Sequence, residues 1–457
     1  MSRQELRTFV QEYGEAHPGG VLRINEPVSL SLEHQAIVEE FERRRRSPII
    51  LFEHILGSDI PIICNVYASR RAFAFALGVD EAELPMEYVR RMGEYIKPTV
   101  VDDPPFLNAV QEGKKVDITK LPVPSYYPGD GAPYFTAGML VAKDPDTGVG
   151  TAGYHRLQLK GPNKLGVSLH SRRRMFEYQR RAEAQGKNLE VAIVLGLHPI
   201  LGMAALSYPP ADISKWEVAG GLFCEPLQIS ACTNIDLMVP TWAEIVIEGE
   251  ILANVREPEG PFGEFTGYFS RRSTQHVFEA KAICMRMNPW FQSIGSGRVS
   301  DHIMPLALLR EAEIRKAVSR VIPNVKDVYV PNSGASAFTA YVSIKQTRPG
   351  EAKHVIPIVL GVDHYLKLVV ILDDDIDVFD ETDVLWAIAT RVQADSDIIT
   401  IPSSLGAILD PSATAQGLTA KMGIDATRPF GEEFGERLKM DPEKVAWAQE
   451  FVTRLGG

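Results

Sequence analysis

The middle of the chain, from about residue 130 to about residue 300, consists of short apolar segments separated by turn residues. This spacing is typical of a β-barrel or β-sandwich, because each short strand must reverse direction before it pairs with the next. Only one clear helical pattern, near 172–185, interrupts the strands. The candidate strands are residues 135–142, 152–160, 190–196, 226–232, 242–248 and 277–287.

Both flanks of this region alternate helical and strand patterns, which indicates α/β domains. The N-terminal flank predicts helices near 3–15, 32–45, 69–78 and 82–95 and a strand at 48–52. The C-terminal flank predicts a long helix over 305–322, strands at 327–331, 337–345 and 367–372, and helices at 381–393 and 441–455. A Pro- and Gly-rich stretch over 121–131 is predicted to be an extended linker into the central region.

With 457 residues the chain is too long for a single core. We therefore expect a multidomain protein of mixed α/β and α+β class. The predicted units are an N-terminal α/β domain (1–115), a strand-rich domain (116–310) and a C-terminal α/β domain (311–457).

Composition excludes several classes of protein. Hydrophobic residues make up 45% of the chain, yet no apolar run is long enough to predict a membrane span, and the N-terminus has no signal-peptide core. Four scattered cysteines without a CxxC pair favour a reducing cytoplasm over a cysteine zinc site. A net charge of −11 without a basic tail argues against nucleic acid as a partner.

Two acids, Glu259 and Glu264, flank the sequence Gly260-Pro-Phe-Gly263. Glycine and proline at these positions predict a tight turn, which would fix the two carboxylates close together. Neighbouring acids can acquire different pKa values and divide the roles of proton donor and charge partner. The alternative is an ordinary polar turn with two solvated acids.

The segment Thr151–Lys160 alternates well enough to be a strand, which would place Tyr154 and Arg156 on one face. An arginine near two acids can form a bidentate pair with one of them. The alternative is a surface strand with an exposed arginine.

Four segments in this order resemble the UbiD-like decarboxylases, which depend on prenylated FMN. They are Thr151–Arg156, Glu259–Glu264, Lys367 before an Asp-rich run, and Lys421–Thr427, and the resemblance covers nearly the whole chain. It implies that the central domain is a split β-barrel like that of flavin reductases and that the C-terminal domain mediates dimerisation. It also implies a flavin prenyltransferase that supplies the cofactor, and a homo-oligomer, either a dimer or a hexamer.

The resemblance also implies roles for individual residues. Arg156 matches the catalytic arginine of the family, Glu259 its partner, and Glu264 the acid that protonates the product carbon after CO2 leaves. The positions that match cofactor contacts are Thr151, Tyr154, His155, Arg156, Ser168, Leu169, His170, Arg173, Lys215 and Lys367.

The metal site departs from the family pattern. The family holds a divalent ion, expected to be Mn2+, with K+ nearby, but here its asparagine position holds Thr151 and its glutamate position holds Lys215. Two possibilities follow: Glu217 and His170 bind the metal, or Lys215 replaces it in part. His170 would otherwise be an ordinary hydrogen-bonded histidine.

A His–Arg pair bears on the substrate. His302 lies at the entry of the predicted helix and Arg310 lies inside it, eight residues later, so both can face one pocket. The pair resembles that of furan-2,5-dicarboxylate decarboxylases, where it binds the second carboxylate. We therefore expect reversible decarboxylation of a small aromatic acid, in particular furan-2,5-dicarboxylate to 2-furoate.

Other interpretations stay open. Arg310 could pair with Glu311, Glu313 or an aspartate of another element. The substrate could be a monoacid such as pyrrole-2-carboxylate or a hydroxybenzoate. Outside this reaction class, the chain could be an FMN-dependent oxidoreductase, although no GxGxxG follows a strand, or a non-catalytic subunit of a carboxylase.

Overall fold

The N-terminal part of the protein is an α/β layer whose sheet is completed by a distant strand. The structure, a computed structural model, describes residues 3–169 and 174–455. The sheet has the order β1-β2-β3-β16, so β16 (Phe291–Gln292), from the end of the central region, closes its edge. Its elements are α1 (Leu6–Ala16), β1 (Val21–Ile24), α2 (Glu33–Arg43), β2 (Ile49–Phe52), β3 (Ile62–Cys64), α3 (Arg70–Leu77) and α4 (Leu84–Met92).

A curled sheet forms the centre of the molecule. In the described residues it has nine strands in the order β6-β9-β10-β15-β14-β11-β7-β8, with β5 paired to β15. Its strands are β5 (Ala109–Glu112), β6 (Tyr134–Phe135), β7 (Met139–Lys143), β8 (Gly150–Tyr154), β9 (Leu157–Gly161), β10 (Lys164–Val167), β11 (Leu189–Leu195), β14 (Ile245–Glu259) and β15 (Ser273–Met285).

The two longest strands give this sheet its curvature. The β14–β15 ladder shifts register at Glu248/Gly249 and again between Ile251 and Arg256. Such irregularities bend a strand and increase its twist. The sheet is therefore a curled half-barrel, and the predicted strand at 242–248 is the first half of a strand that runs on to Glu259.

The remaining elements of the central region surround this half-barrel. A small sheet has the order β13-β12-β4. The elements are β4 (Thr99–Val100), α5 (Arg174–Ala184), α6 (Pro199–Leu206), α7 (Lys215–Phe223), β12 (Gln228–Ala231), β13 (Met238–Pro240) and β16 (Phe291–Gln292). Short 3-10 turns occupy Pro105–Leu107, Gly113–Lys115, Ile118–Lys120 and Asn332–Gly334.

The prediction of one helix in the central region was wrong, because α6 and α7 are also there. Seven of the eight residues of α6 are buried, so it is apolar all round and has no helical period to detect. α7 contains Gly220 and Gly221, which lower helix propensity. A Cβ on Gly221 would lie 1.8 Å from the carbonyl oxygen of Glu94, so close packing requires glycine there.

The C-terminal part is a second α/β layer. Its five-stranded sheet has the order β17-β18-β19-β21-β20, mostly parallel in the middle, which agrees with the predicted α/β class. Its elements are α8 (Ser300–Ser319), β17 (Val325–Tyr329), β18 (Thr339–Ile344), α9 (Glu351–Val362), β19 (Leu368–Asp373), α10 (Glu381–Arg391), β20 (Ile398–Leu405), β21 (Leu418–Ala426) and α11 (Pro442–Arg454). The predicted fold class, α/β domains around a curled central β-structure, is confirmed.

Three short strands cross the predicted domain limits. β4 and β5 lie within 1–115 but pair with β12 and with β15 of the half-barrel, and β16 lies within 116–310 but pairs with β3 of the N-terminal sheet. The three-domain division of the sequence therefore remains a prediction. Across 3–169 and 174–455, none of the helices combines the length and apolar character that a bilayer crossing requires.

Candidate active site

A cavity of about 320 Å³ runs beside β8 and α8. Of the residues predicted from sequence, six line it: Thr151, Tyr154, His155, Arg156, Lys215 and His302. Because they come from β8, the loop after it, α7 and α8, folding collects them from distant parts of the chain.

Arg156 binds both predicted acids. Its Nε and one terminal nitrogen donate to the two carboxylate oxygens of Glu259, at 2.9 and 2.7 Å, and its other terminal nitrogen donates to Glu264. Glu259 is fully buried and Glu264 is 7% exposed. Such a bidentate, charge-assisted pair fixes the orientation of the guanidinium.

The turn that carries Glu264 begins where β14 ends, at Glu259. Asp130 anchors it, since its Oδ1 accepts the N–H of Gly263 at 3.0 Å, while Ser296 Oγ donates to the carbonyl of Gly263 at 2.5 Å. The 121–131 segment, predicted to be a linker, therefore supports the turn between the two acids, a role that its sequence did not indicate.

Gly131 provides a test of this support. A Cβ there would lie 2.5 Å from the carbonyl oxygen of Gly260, in the turn between the two acids. We expect Gly131→Ala to lower the free energy of unfolding by about 1–3 kcal/mol, as overpacking does. Thermal unfolding measures this, and Gly161→Ala, where no atom lies within 4 Å, is the matched control. Equal stability of the two variants would contradict the steric argument.

Glu264 has an unusual protonation equilibrium. Burial raises its pKa to about 7, the carboxylates of Glu259 and Asp130 act in the same direction, and Arg156 acts against them. Burial prevails, so a substantial fraction of Glu264 is protonated at neutral pH, although it contacts an arginine. A carboxyl group in this state can donate a proton to a neighbouring carbon.

Two basic residues line the cavity near the start of β8. Lys215, the first residue of α7, donates to the carbonyl of Ser207. Arg174, at the start of α5, donates to the carbonyls of Ile213 and Pro209. Arg174 was not among the predicted site residues, although its neighbour Arg173 was.

The residues expected to bind a metal do not form a metal site in the described part of the chain. Glu217 completes a capping box, in which its carboxylate accepts the backbone N–H of Ser214 at 2.9 Å. His170 and Arg173 lie outside the described residues. Within 3–169 and 174–455, no three His, Cys, Asp or Glu side chains are grouped closely enough to bind an ion. The residues present there do not fit the divalent ion that the resemblance implied.

The predicted cofactor contacts around β8 have defined hydrogen bonds. The hydroxyl groups of Tyr154 and Tyr67 are 2.6 Å apart, and His155 Nδ1 donates to the carbonyl of Ser168 at 3.1 Å. Leu169 is buried in the hydrophobic core. Ser168 and Leu169 do not line the cavity themselves.

Beside Arg156, α8 contributes a neutral histidine. Burial lowers the pKa of His302 to about 4, and its Nδ1 has no hydrogen-bond partner among the described residues. The adjacent Asp301, which sequence reasoning missed, accepts the backbone N–H groups of Asn65, Tyr67 and Gly295. An acid in the first turn of a helix is its only sequence signal.

Arg310 and Lys367 do not line this cavity. Arg310 donates to Asp363 at 2.7 Å and to the carbonyl of Ser336 at 2.9 Å, which is the alternative pairing weighed from sequence. Lys367 pairs with Asp410 at 2.6 Å. His302 and Arg310 are therefore not brought together in one pocket wall in this structure.

Family models identify the class of protein. Three models of the 3-octaprenyl-4-hydroxybenzoate carboxy-lyase, UbiD, match the chain: the N-terminal domain over 16–92, the Rift-related domain over 99–299 and the C-terminal domain over 303–426. The chain belongs to the UbiD family of decarboxylases, as its motifs indicated.

Individual relatives extend this similarity over nearly the full length. The chain is 34% identical to the anhydromevalonate phosphate decarboxylase of Methanothermobacter thermautotrophicus, covering 93% of this chain and 97% of the relative. The UbiD-class enzyme HmfF of Pelotomaculum thermopropionicum in complex with FMN superposes with a TM-score of 0.92 at 32% identity, covering 97% and 99%. An evolved dimeric form of HmfF in complex with prFMN gives 0.89 at 30% identity, covering 98% and 100%.

Proposed function

We propose that the protein decarboxylates a small aromatic or heteroaromatic acid with prenylated FMN bound in the cavity beside β8. The observation that carries the proposal is the buried Arg156, which binds Glu259 and Glu264 at the wall of a cavity in a UbiD-family chain. Two similar structures, with FMN and with prFMN, support a flavin in this cavity. When bound, prenylated FMN supplies the electron sink that the reaction needs.

Three side chains bind the substrate carboxylate and transfer the proton. Arg156 orients the carboxylate that leaves, because its planar guanidinium matches a carboxylate in geometry and charge. Glu259, fully buried, fixes the guanidinium. Glu264, whose pKa burial raises to about 7, donates the proton that replaces CO2 on the product carbon. In carboxylation, the reverse reaction, Glu264 accepts that proton.

The pH dependence of decarboxylation tests this role. Because the protonated acid is the donor, we expect kcat to be flat at low pH and to fall by about tenfold per pH unit well above the pKa of about 7. Stopped assays in matched ionic strength from pH 5 to 9 measure this profile. A rate that rises through pH 7 would contradict the assignment of Glu264 as proton donor.

For the substrate, we propose furan-2,5-dicarboxylate, with 2-furoate and CO2 as products. His302 lines the cavity with an unsatisfied ring nitrogen, and Arg310 lies two helical turns further along α8. Arg310 would have to exchange Asp363 for the second carboxylate of the substrate. A monoacid such as pyrrole-2-carboxylate or a hydroxybenzoate needs no such exchange.

A phosphorylated acid is a second candidate. It is favoured by the 34% identical relative, whose name specifies a phosphate-bearing substrate. Rates with furan-2,5-dicarboxylate, pyrrole-2-carboxylate, a hydroxybenzoate and anhydromevalonate phosphate separate these candidates. Oxidation of a reduced nicotinamide without CO2 release would favour the FMN-dependent oxidoreductase instead.

Arg310 can be tested separately. We expect Arg310→Ala to lower kcat/KM for the dicarboxylate by about tenfold to a hundredfold, since a charge-assisted bond is lost, and to spare the monoacids. Asp363→Asn is the matched control, because it breaks the same internal pair but keeps the cation. Equal losses for mono- and dicarboxylates would show that Arg310 is structural.

The proposal includes partners. A flavin prenyltransferase would supply the cofactor, and we propose a homo-oligomer because a similar structure is a dimeric form of HmfF. We propose a cytoplasmic protein, on the evidence of its cysteine usage.

A further inference from the structure

The cavity has two ends along β8. Thr151 lies near the start of the strand and Arg156 just after its end, and five extended residues span about 16 Å. A Cβ on Gly150 would lie 3.8 Å from the Cβ of Ser214, which precedes α7. Lys215 therefore lies at the Thr151 end. A flavin mononucleotide has its ring and its phosphate at opposite ends, so a flavin bound with its ring facing Arg156 would have its phosphate towards Lys215.

The Thr151 end of the cavity has positive charge built into its wall. Lys215 is only 6% exposed, donates to the carbonyl of Ser207, and lies 5.9 Å from the centre of the Tyr208 ring. Arg174 lines the same cavity and is fixed by the carbonyls of the loop that precedes α7. A buried lysine beside a half-buried arginine favours an anionic ligand, and phosphate is the anion that both side chains bind well.

The same residues disfavour a divalent cation. An ammonium group stands where the resemblance expects a carboxylate ligand, and it repels a second cation at short range. Thr151 offers a single neutral hydroxyl, and the carboxylate of Glu217 is already bound to the backbone of Ser214. Mn2+ requires several oxygen ligands, preferably charged.

We propose that Lys215 and Arg174 bind the flavin phosphate directly, in place of the divalent cation that related enzymes would use. The inference rests on the proposed flavin function. Cofactor binding would then be independent of metal. Thr151 at the asparagine position and Lys215 at the glutamate position would have one common explanation, the loss of the metal site.

Fluorescence titration of the cofactor-free full chain with FMN tests this without any assay of turnover. We expect the Kd for FMN to be unchanged by EDTA or by added Mn2+. Lys215→Met should weaken FMN binding by about tenfold to a hundredfold, because a charge-assisted contact is lost. The same substitution should leave the Kd for riboflavin, which has no phosphate, unchanged. Lys120→Met, which also removes one positive charge but at an exposed lysine, controls for net charge.

The reciprocal experiment restores the expected ligands. The double variant Thr151→Asn/Lys215→Glu should bind FMN weakly in EDTA and recover by at least about tenfold when Mn2+ is added. FMN binding by the unmodified chain that requires Mn2+, or that EDTA abolishes, would overturn this inference and leave the proposed function standing. Failure of the unmodified chain to bind FMN under any condition would overturn both.

Discussion

Glu264→Gln is expected to lower kcat for decarboxylation by at least about a hundredfold, the usual contribution of a positioned acid. Glutamine has the same shape and can still accept the hydrogen bond from Arg156, but it has no proton to donate. The flavin Kd should not change. Initial rates and a flavin titration on the same preparation measure both quantities.

The stability of this variant provides a control. Because the folded-state pKa of Glu264 is raised to about 7, its contribution to stability is present at low pH and is lost as pH rises through that value. Glutamine does not titrate, so the variant should match or exceed the unmodified chain in stability at pH 8. A fully active Glu264→Gln enzyme would remove Glu264 from the mechanism.

Arg156→Ala is expected to abolish turnover and also to destabilise the protein, by about 3–5 kcal/mol, because it leaves the fully buried Glu259 without its partner. The substrate carboxylate would lose the group that orients it as well. Chemical denaturation measures the stability, and rates at saturating substrate measure the loss of activity.

A double-mutant cycle separates these two effects. Arg156→Met combined with Glu259→Met removes both charges, so it should be less destabilising than the sum of the single changes. Activity should remain lost in the double variant. Additive destabilisation would show that the Arg156–Glu259 contact contributes little to folding.

The sequence predicted the acids and the arginine, but not how they are supported. Arg156, Glu259 and Glu264 could be found because a turn with two acids and a strand with an arginine leave local patterns. Asp130 left no such pattern and Asp301 only its place in the first turn of a helix, because each acts by accepting backbone N–H groups from segments that only folding brings near. Long-range contacts of this kind are set by tertiary packing.

Helices were predicted where they are amphipathic and missed where they are buried on all sides. α10 begins at the predicted position and α8 five residues before it, whereas α6 has no polar face and α7 contains two glycines. The glycine at 221 is explained only by the carbonyl of Glu94 that packs against it. The resemblance therefore identified Lys215 as a cofactor contact, but the sequence did not predict α7, the helix whose first turn carries it.

The spacing of His302 and Arg310 shows where helical periodicity stops being informative. Eight residues separate them on α8, yet Arg310 donates to Asp363 and to the carbonyl of Ser336 instead of facing the cavity. Hydrogen bonds from His364 and Arg310 hold the pKa of Asp363 well below its usual range despite burial. The partner of Arg310 is set by the loop after α9, which carries Asp363. The position of that loop depends on tertiary packing, which helical periodicity does not predict.

The proposed function is tested most directly by turnover in D2O after co-expression with a flavin prenyltransferase. The bound cofactor should have the mass of prenylated FMN, and each CO2 released should leave one deuterium on the carbon that carried it. Enzyme loaded with plain FMN should release no CO2. Equal CO2 release with plain FMN, or nicotinamide oxidation without CO2 release, would contradict the proposed function.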